Sequence, residues 1–147
     1  MGRSRSVGYS VQSFLPFIPP TVTHNDLEAY TFKRGGKIKA KIRKTERLRD
    51  AEDLMRPYVQ RFAEASLHIP LRPPVEQTVK ICWPTGGVHE QGELRITPPD
   101  YDNWVKTFND LCERAGIIVN DSHIAIAHIH KVYADPAGVF MKFREIV

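Results

Sequence analysis

The sequence has only two cysteines, Cys82 and Cys112, and no Cys-x-x-Cys pair. Two thiols are too few to staple a small secreted fold. Both sit inside apolar segments, so they read as reduced packing residues of a cytosolic protein. No run of about 18 apolar residues is present, which excludes a membrane-spanning helix. The start, MGRSRSV, is basic, but the apolar patch that follows, Phe14 to Ile18, is short and broken by Pro16, unlike a signal peptide. There is no internal repeat and no low-complexity tract, and a composition of 41% hydrophobic and 26% charged residues is neither disordered nor collagen-like.

What is present fits one domain. At 147 residues the chain can bury roughly 70% of its unfolded surface. Its net charge of +4 is unevenly distributed. From Lys33 to Arg49 there are nine basic residues (Lys33, Arg34, Lys37, Lys39, Lys41, Arg43, Lys44, Arg47, Arg49) against one acid, Glu46, while the remainder is net acidic. Such a block suits either a polyanion footprint or a solvated hairpin edge that resists aggregation.

The pattern predicts an α+β domain, a mixed β-sheet with two main helices. A first strand is expected over Tyr9–Phe17, then a loop from Pro19-Pro20 through Asp26. A hairpin follows over Glu28–Ile42, turning at Arg34-Gly35-Gly36-Lys37, with Lys37, Lys39 and Lys41 on one face and Ile38, Ala40 and Ile42 on the other. Lys44–Leu67 has helical periodicity, with Pro57 expected to kink or restart it. Val75–Trp83 reads as a core strand, and Pro84–Pro99 as a loop with a short strand at Glu93–Ile96. A second helix is expected over Asn103–Ala115, stopped by Gly116. Ile117–Val119 reads as a short strand, Asn120-Asp121-Ser122 as a turn, and His123–Tyr133 and Val139–Val147 as strands joined through Asp135-Pro136-Ala137-Gly138.

The chemistry concentrates in Pro98–Asp110. Asp100 and Asp102 are two apart where the chain enters a helix; in extended backbone both carboxylates point the same way. Lys106 and Asp110 follow at four-residue steps on one helix face. Two adjacent carboxylates repel unless a cation joins them, and oxygen ligands suit Mg²⁺ or Mn²⁺ rather than zinc. The alternative is an N-cap at Asp102 plus an ordinary surface ion pair. Asp121, at a turn after a short apolar strand, is placed to supply a third ligand. His123, His128 and His130 lack the partners for a zinc site and read as strand-surface residues.

These residues resemble the RusA endodeoxyribonucleases, small phage and prophage resolvases of Holliday junctions. The resemblance rests on Asp100-x-Asp102-Asn103, Lys106, Asp110, the Ala115-Gly116 helix end, Asp121, a strand with Lys131, and the early Pro19-Pro20 with its polar run to Asn25. It spans roughly Phe14 to Val147. One departure is Asn120, where the family often has a first aspartate before the ligand matched by Asp121; the Thr85–Thr97 loop is also longer.

The resemblance implies a metal-dependent endonuclease that resolves four-way DNA junctions by paired symmetric nicks, in recombination and repair. By it, Asp100, Asp102 and Asp121 hold Mg²⁺ (Mn²⁺ as substitute), one ion well bound and a second recruited by the phosphate. Lys106 orients water or stabilises phosphate charge, and Asp110 either positions Lys106 or is a plain surface acid. Lys33, Arg34, Lys37, Lys39, Lys41 and Lys131, with Arg3 and Arg5, are expected to surround the DNA, and a homodimer answers the junction's symmetry, with apolar residues of the last strands as its surface. Tyr30, Phe32 and Tyr101 either stack on opened bases or serve in packing. His24 has no assigned role. Residues 1–13 are expected to be a partly flexible basic N-terminus and 14–147 the nuclease domain, cytoplasmic in a bacterium or phage-infected host. The competing readings are a branched-DNA-binding protein that does not cut, and a broader flap or duplex nuclease.

Overall fold

A computed structural model describes residues 8–147; Arg3 and Arg5 lie outside the described residues. The element order is β1 (Ser10–Leu15), β2 (Leu27–Arg34), β3 (Lys37–Lys44), α1 (Glu46–Ala65), β4 (Val75–Trp83), β5 (Glu93–Leu94), α2 (Tyr101–Arg114), β6 (Ile124–Tyr133) and β7 (Gly138–Glu145), with a 3-10 turn at Asp121–His123 before β6. The expected α+β domain with a mixed sheet and two helices is what forms. The boundary expected at residue 13 falls within β1, whose residues pair with β7 from Ser10↔Arg144 onward.

The main sheet has the order β1-β7-β4-β6-β5. β4 runs parallel to β6 and antiparallel to β7, so the last two strands flank β4 and do not form a hairpin with each other. A parallel pair needs a long crossover, and the chain between β4 and β6 supplies it through α2. On β4, Val75, Gln77, Val79 and Ile81 are buried while the alternate residues Glu76, Thr78 and Lys80 are not. That face joins Met55 and Val59 of α1 and Trp104, Phe108 and Leu111 of α2 in one core. Cys82 and Cys112 are free and buried, and burial raises both thiols above their ordinary range.

α1 starts at Thr45, whose hydroxyl accepts the Leu48 N–H at 3.2 Å, and runs as one helix past Pro57 without restarting. Pro57 is exposed, on the side of the helix away from the core. Ile117 and Ile118 are fully buried but form no strand; the Ile117 carbonyl accepts the Leu71 N–H at 3.0 Å.

The β2–β3 hairpin is a separate two-stranded sheet, turned by Gly35 and Gly36 at φ 62° and 76°. Two consecutive positive φ values are the geometry a two-residue hairpin turn requires, and glycine adopts it without strain. Cross-strand partners share a face, so Tyr30↔Lys41, Phe32↔Lys39 and Arg34↔Lys37 make one basic and aromatic face, while Ala29↔Ile42, Thr31↔Ala40 and Lys33↔Ile38 make the other. The alternation is as expected from the sequence, but the apolar face covers no core: Ile38 and Ile42 are 73% and 72% exposed. Lys33 lies on this second face, away from the other hairpin lysines expected to meet DNA.

Candidate active site

The first turn of α2 differs from the expected geometry. The N-cap is Asp100, not Asp102, and its carboxylate caps no backbone N–H. Asp102 is already helical, so the two-residue rule for extended backbone does not align the two carboxylates. Both acids are exposed, and neither carboxylate has a hydrogen bond or ion pair among the described residues; the Asp100 backbone carbonyl accepts the Trp104 N–H at 3.1 Å. The helix ends as expected: Ala115 is the C-cap and Gly116 follows at φ 84°, the left-handed position that favours glycine.

A cleft of about 280 Å³ opens between α2 and β6. Its walls carry Tyr101, Asp102, Val105, Lys106 and Asn109 from α2, Asp121 from the 3-10 turn, and Ala127 and Ile129 from β6. Asp100 is not among the lining residues. Lys106 Nζ donates to Asp121 Oδ2 at 2.9 Å and lies 3.7 Å from Asp110 Oδ1. The hydrogen bond to Asp121, followed by the charges of Asp110 and Asp121, raises the Lys106 pKa above its ordinary value. Lys106 is therefore a fixed cation at neutral pH.

Asp121 is held from two further sides. Its backbone N–H donates to Glu113 Oε1, and the turn that carries it is capped by Asn120, whose Oδ1 accepts the Ser122 N–H at 2.8 Å. Asn120 thus does the local job a capping aspartate does, with a neutral oxygen. At the cleft floor Gln77 Nε2 donates to Asn109 Oδ1 at 2.6 Å, and both residues are buried. Sequence reasoning missed Gln77, Asn109 and Glu113. A polar residue on the apolar phase of β4, and another on the buried stripe of α2, were the available signals for the first two.

His24 has a definite place. Its Nδ1–H donates to the Asn103 carbonyl at 3.2 Å, while the indole N–H groups of Trp83 and Trp104 donate to Pro19 O at 2.9 Å and Pro20 O at 3.0 Å. Three side chains thereby seat the Pro19-Pro20 loop against the start of α2. Tyr101 is 59% exposed at the cleft mouth. Of the histidines read as surface residues, His128 pairs with Glu76 at 3.0 Å; the hydrogen bonds from His128 and then Arg144 lower the Glu76 pKa.

The cations from Lys33 to Arg47 divide by partner. Arg43 is tied to Glu28 at 2.9 Å, Lys44 to the buried Glu52 at 2.9 Å and Arg47 to Asp26 at 2.7 Å. Lys33, Arg34, Lys37, Lys39 and Lys41 have no acid partner among the described residues. On the basic face the Lys41 ammonium lies 5.5 Å from the Phe32 ring centre, and the Arg43 guanidinium 4.5 Å from that of Tyr30. Lys131, grouped with these by sequence, is elsewhere and engaged: its Nζ donates to Thr97 O at 2.8 Å and Pro99 O at 2.6 Å.

Among the described residues no three His, Cys, Asp or Glu side chains converge closely enough to form a ready metal cluster. Asp102 and Asp121 nevertheless line one cleft, and the donors there are all oxygen. Mg²⁺ keeps several waters and is commonly held through one or two carboxylates together with substrate phosphate. The donor set fits that ion in kind and number. A comparison with curated proteins yields no match. The profile of one family, described as endodeoxyribonuclease RusA, matches residues 18–144, which takes in the Pro19-Pro20 loop, the hairpin, the whole cleft and most of β7. Matched across nearly its full length, the chain belongs to the RusA endodeoxyribonuclease family.

Proposed function

We propose that this protein is a divalent-metal-dependent endonuclease that resolves four-way DNA junctions by paired nicks, in DNA recombination and repair, within a bacterial or phage-infected cell. The observation that carries the reading is the cleft that sets Asp102 and Asp121 around the fixed cation Lys106, in a chain of an endodeoxyribonuclease family. Asp102 and Asp121 would hold Mg²⁺ or Mn²⁺, with Asp100 beside them at the helix N-cap. When bound, the ion supplies Lewis-acid stabilisation of the scissile phosphate and activation of the attacking water.

The remaining work falls to the chain. Lys106 is read as a donor, to a non-bridging phosphate oxygen or to an orienting water. Asp110 keeps the ammonium near Asp121, and Glu113 fixes the backbone of Asp121. A carboxylate cleft repels DNA, and the cationic face made by Arg34, Lys37, Lys39 and Lys41 offsets that repulsion.

Two coordinated nicks call for two sites related by a two-fold axis. We assign the dimer contact to the outer edge of β6. Among the described residues no strand covers that edge from Ile124 to His130; β5 pairs only with Val132 and Tyr133. The segment IAIAHIH has no Lys or Pro to discourage edge pairing, and Ile126 is 45% exposed. Antiparallel pairing of two such edges places both α2 clefts on the same side of a continuous sheet.

The test compares junction, flap and linear duplex DNA with Mg²⁺ or EDTA. Symmetric nicks in the junction alone, abolished in Asp102→Asn while junction affinity persists, are expected. Undiminished cutting by Asp102→Asn refutes the ligand assignment, equal cutting of flaps or duplex makes it a broader nuclease, and junction binding with no cutting in any metal makes it a branched-DNA-binding protein.

A further inference from the structure

The segment leading into α2 is held in an unusual way. Thr97, Pro98 and Pro99 immediately precede the N-cap Asp100, and the two prolines have no N–H with which to join a ladder. Each of the three carbonyls is instead taken by a cation. Lys131 Nζ bridges Thr97 O at 2.8 Å and Pro99 O at 2.6 Å. Arg95 donates to Pro98 O through Nε at 3.2 Å and Nη2 at 2.6 Å.

Both cations are themselves fixed. Lys131 sits in β6, opposite Ile81 of the central strand. The Arg95 guanidinium lies 4.3 Å from the Trp83 ring centre and 5.6 Å from that of Tyr133, and its backbone N–H donates to Lys131 O at 2.8 Å. The long loop from residue 85 to 97 is anchored to the same strand end. His89 stacks on Tyr133 with ring centres 3.6 Å apart, Gly92 N–H donates to Tyr133 O at 2.7 Å, and Gln91 and Thr85 both bond Asp135. This loop, whose purpose the sequence left open, delivers Arg95.

We propose that Lys131 and Arg95 are positioning residues of the acid site: together they clamp the Thr97–Pro99 carbonyls and so fix where Asp100 and Asp102 present their carboxylates to a divalent cation. Lys131 then serves the metal site and not the DNA surface. Two of its three N–H donors are spent on carbonyls, which leaves one for a phosphate. A partner that orients metal-binding groups without touching the metal typically changes metal affinity or activity by about 10- to 100-fold. The inference rests on the reading of Asp102 as a cation ligand, with Asp100 beside it.

The experiment measures Mn²⁺ binding to the free protein by calorimetry, the Mg²⁺ dependence of cutting, and junction affinity in EDTA across a salt series. Lys131→Gln is expected to weaken Mn²⁺ binding by at least about tenfold and to raise the Mg²⁺ concentration needed for cutting. Its junction affinity and salt slope in EDTA should match the unaltered protein. Lys131→Arg, which keeps a cation able to bridge two carbonyls, should restore most of the loss, and Arg95→Gln should repeat the effect should Lys131→Gln fail to fold. The proposal is overturned by a junction salt slope lowered by about one unit with Mn²⁺ binding intact, the mark of a phosphate contact. Unchanged Mn²⁺ binding in Lys131→Gln and Arg95→Gln overturns it as well. Asp102→Asn separates the two levels: when it abolishes Mn²⁺ binding and the clamp variants do not, only the clamp is wrong; when it leaves Mn²⁺ binding intact, the ligand assignment itself fails.

Discussion

The hairpin makes a quantitative prediction about salt. Arg34, Lys37, Lys39 and Lys41 share one face and lack acid partners, whereas Arg43 on that face is spent on Glu28 and Lys33 lies on the opposite face. Each phosphate neutralised on duplex DNA contributes about 0.9 to the fall of log affinity with log salt. Changing Lys37, Lys39 and Lys41 together to Ala should therefore lower the slope by about 2.7. Over a fourfold rise in salt, the unaltered protein then loses about 40 times more affinity than the variant. All three lysines are exposed, and substitutions at such positions usually change stability by no more than about 0.5 kcal/mol. Among the described residues the Lys41–Phe32 cation–π contact is lost, about 0.5–1 kcal/mol within the hairpin itself. The assay is fluorescence anisotropy of a labelled four-way junction in EDTA, with Lys33→Ala as the control that should leave the slope in place. An unchanged slope in the triple variant, or an equal drop per residue from Lys33→Ala, refutes the assignment of this face to DNA.

Two further outcomes are expected. Lys106→Met should lose cutting by a constant factor from pH 6 to 9, because Asp121 and Asp110 hold the lysine pKa above its ordinary value and the cation is lost only as pH rises through that raised value; a loss confined to the alkaline end would identify Lys106 as a titrating base. Sedimentation of the free protein should give twice the chain mass, and Ile126→Lys, which puts a charge beside the open β6 edge, should give the monomer and uncouple the two nicks; an unchanged mass in the variant places the dimer contact elsewhere.

Much of the fold was legible because it rests on local signals. Val75–Trp83 was read to the residue, since burial alternates along it up to Ile81, and Gly35-Gly36 and Gly116 marked the hairpin turn and the α2 stop through their φ requirements. The misreadings were of two kinds. Ile117–Val119 looked like a strand because all three residues are apolar, yet Ile117 and Ile118 are buried in the core without a ladder and Val119 is exposed. Asp102 looked like an N-cap because a two-residue shift of a helix start costs little in sequence pattern; in the structure the helix begins at Tyr101, with Asp100 as its N-cap.

The sequence by itself determined the candidate site residues, Asp100, Asp102, Lys106 and Asp121, and the family to which their pattern points, because residue chemistry and helical spacing are local properties. It also determined that Lys37, Lys39 and Lys41 take the face opposite Ile38 and Ile42. Tertiary structure alone decided how each charge is used. Lys131 and Lys41 are both lysines of alternating strands, but one bridges two backbone carbonyls beside the acids and the other lies unpaired over Phe32. Lys106 meets Asp121 across 15 residues of chain only because β6 returns parallel to β4 and brings the turn under α2. Such pairings depend on sheet order and crossover, which no spacing along the chain encodes.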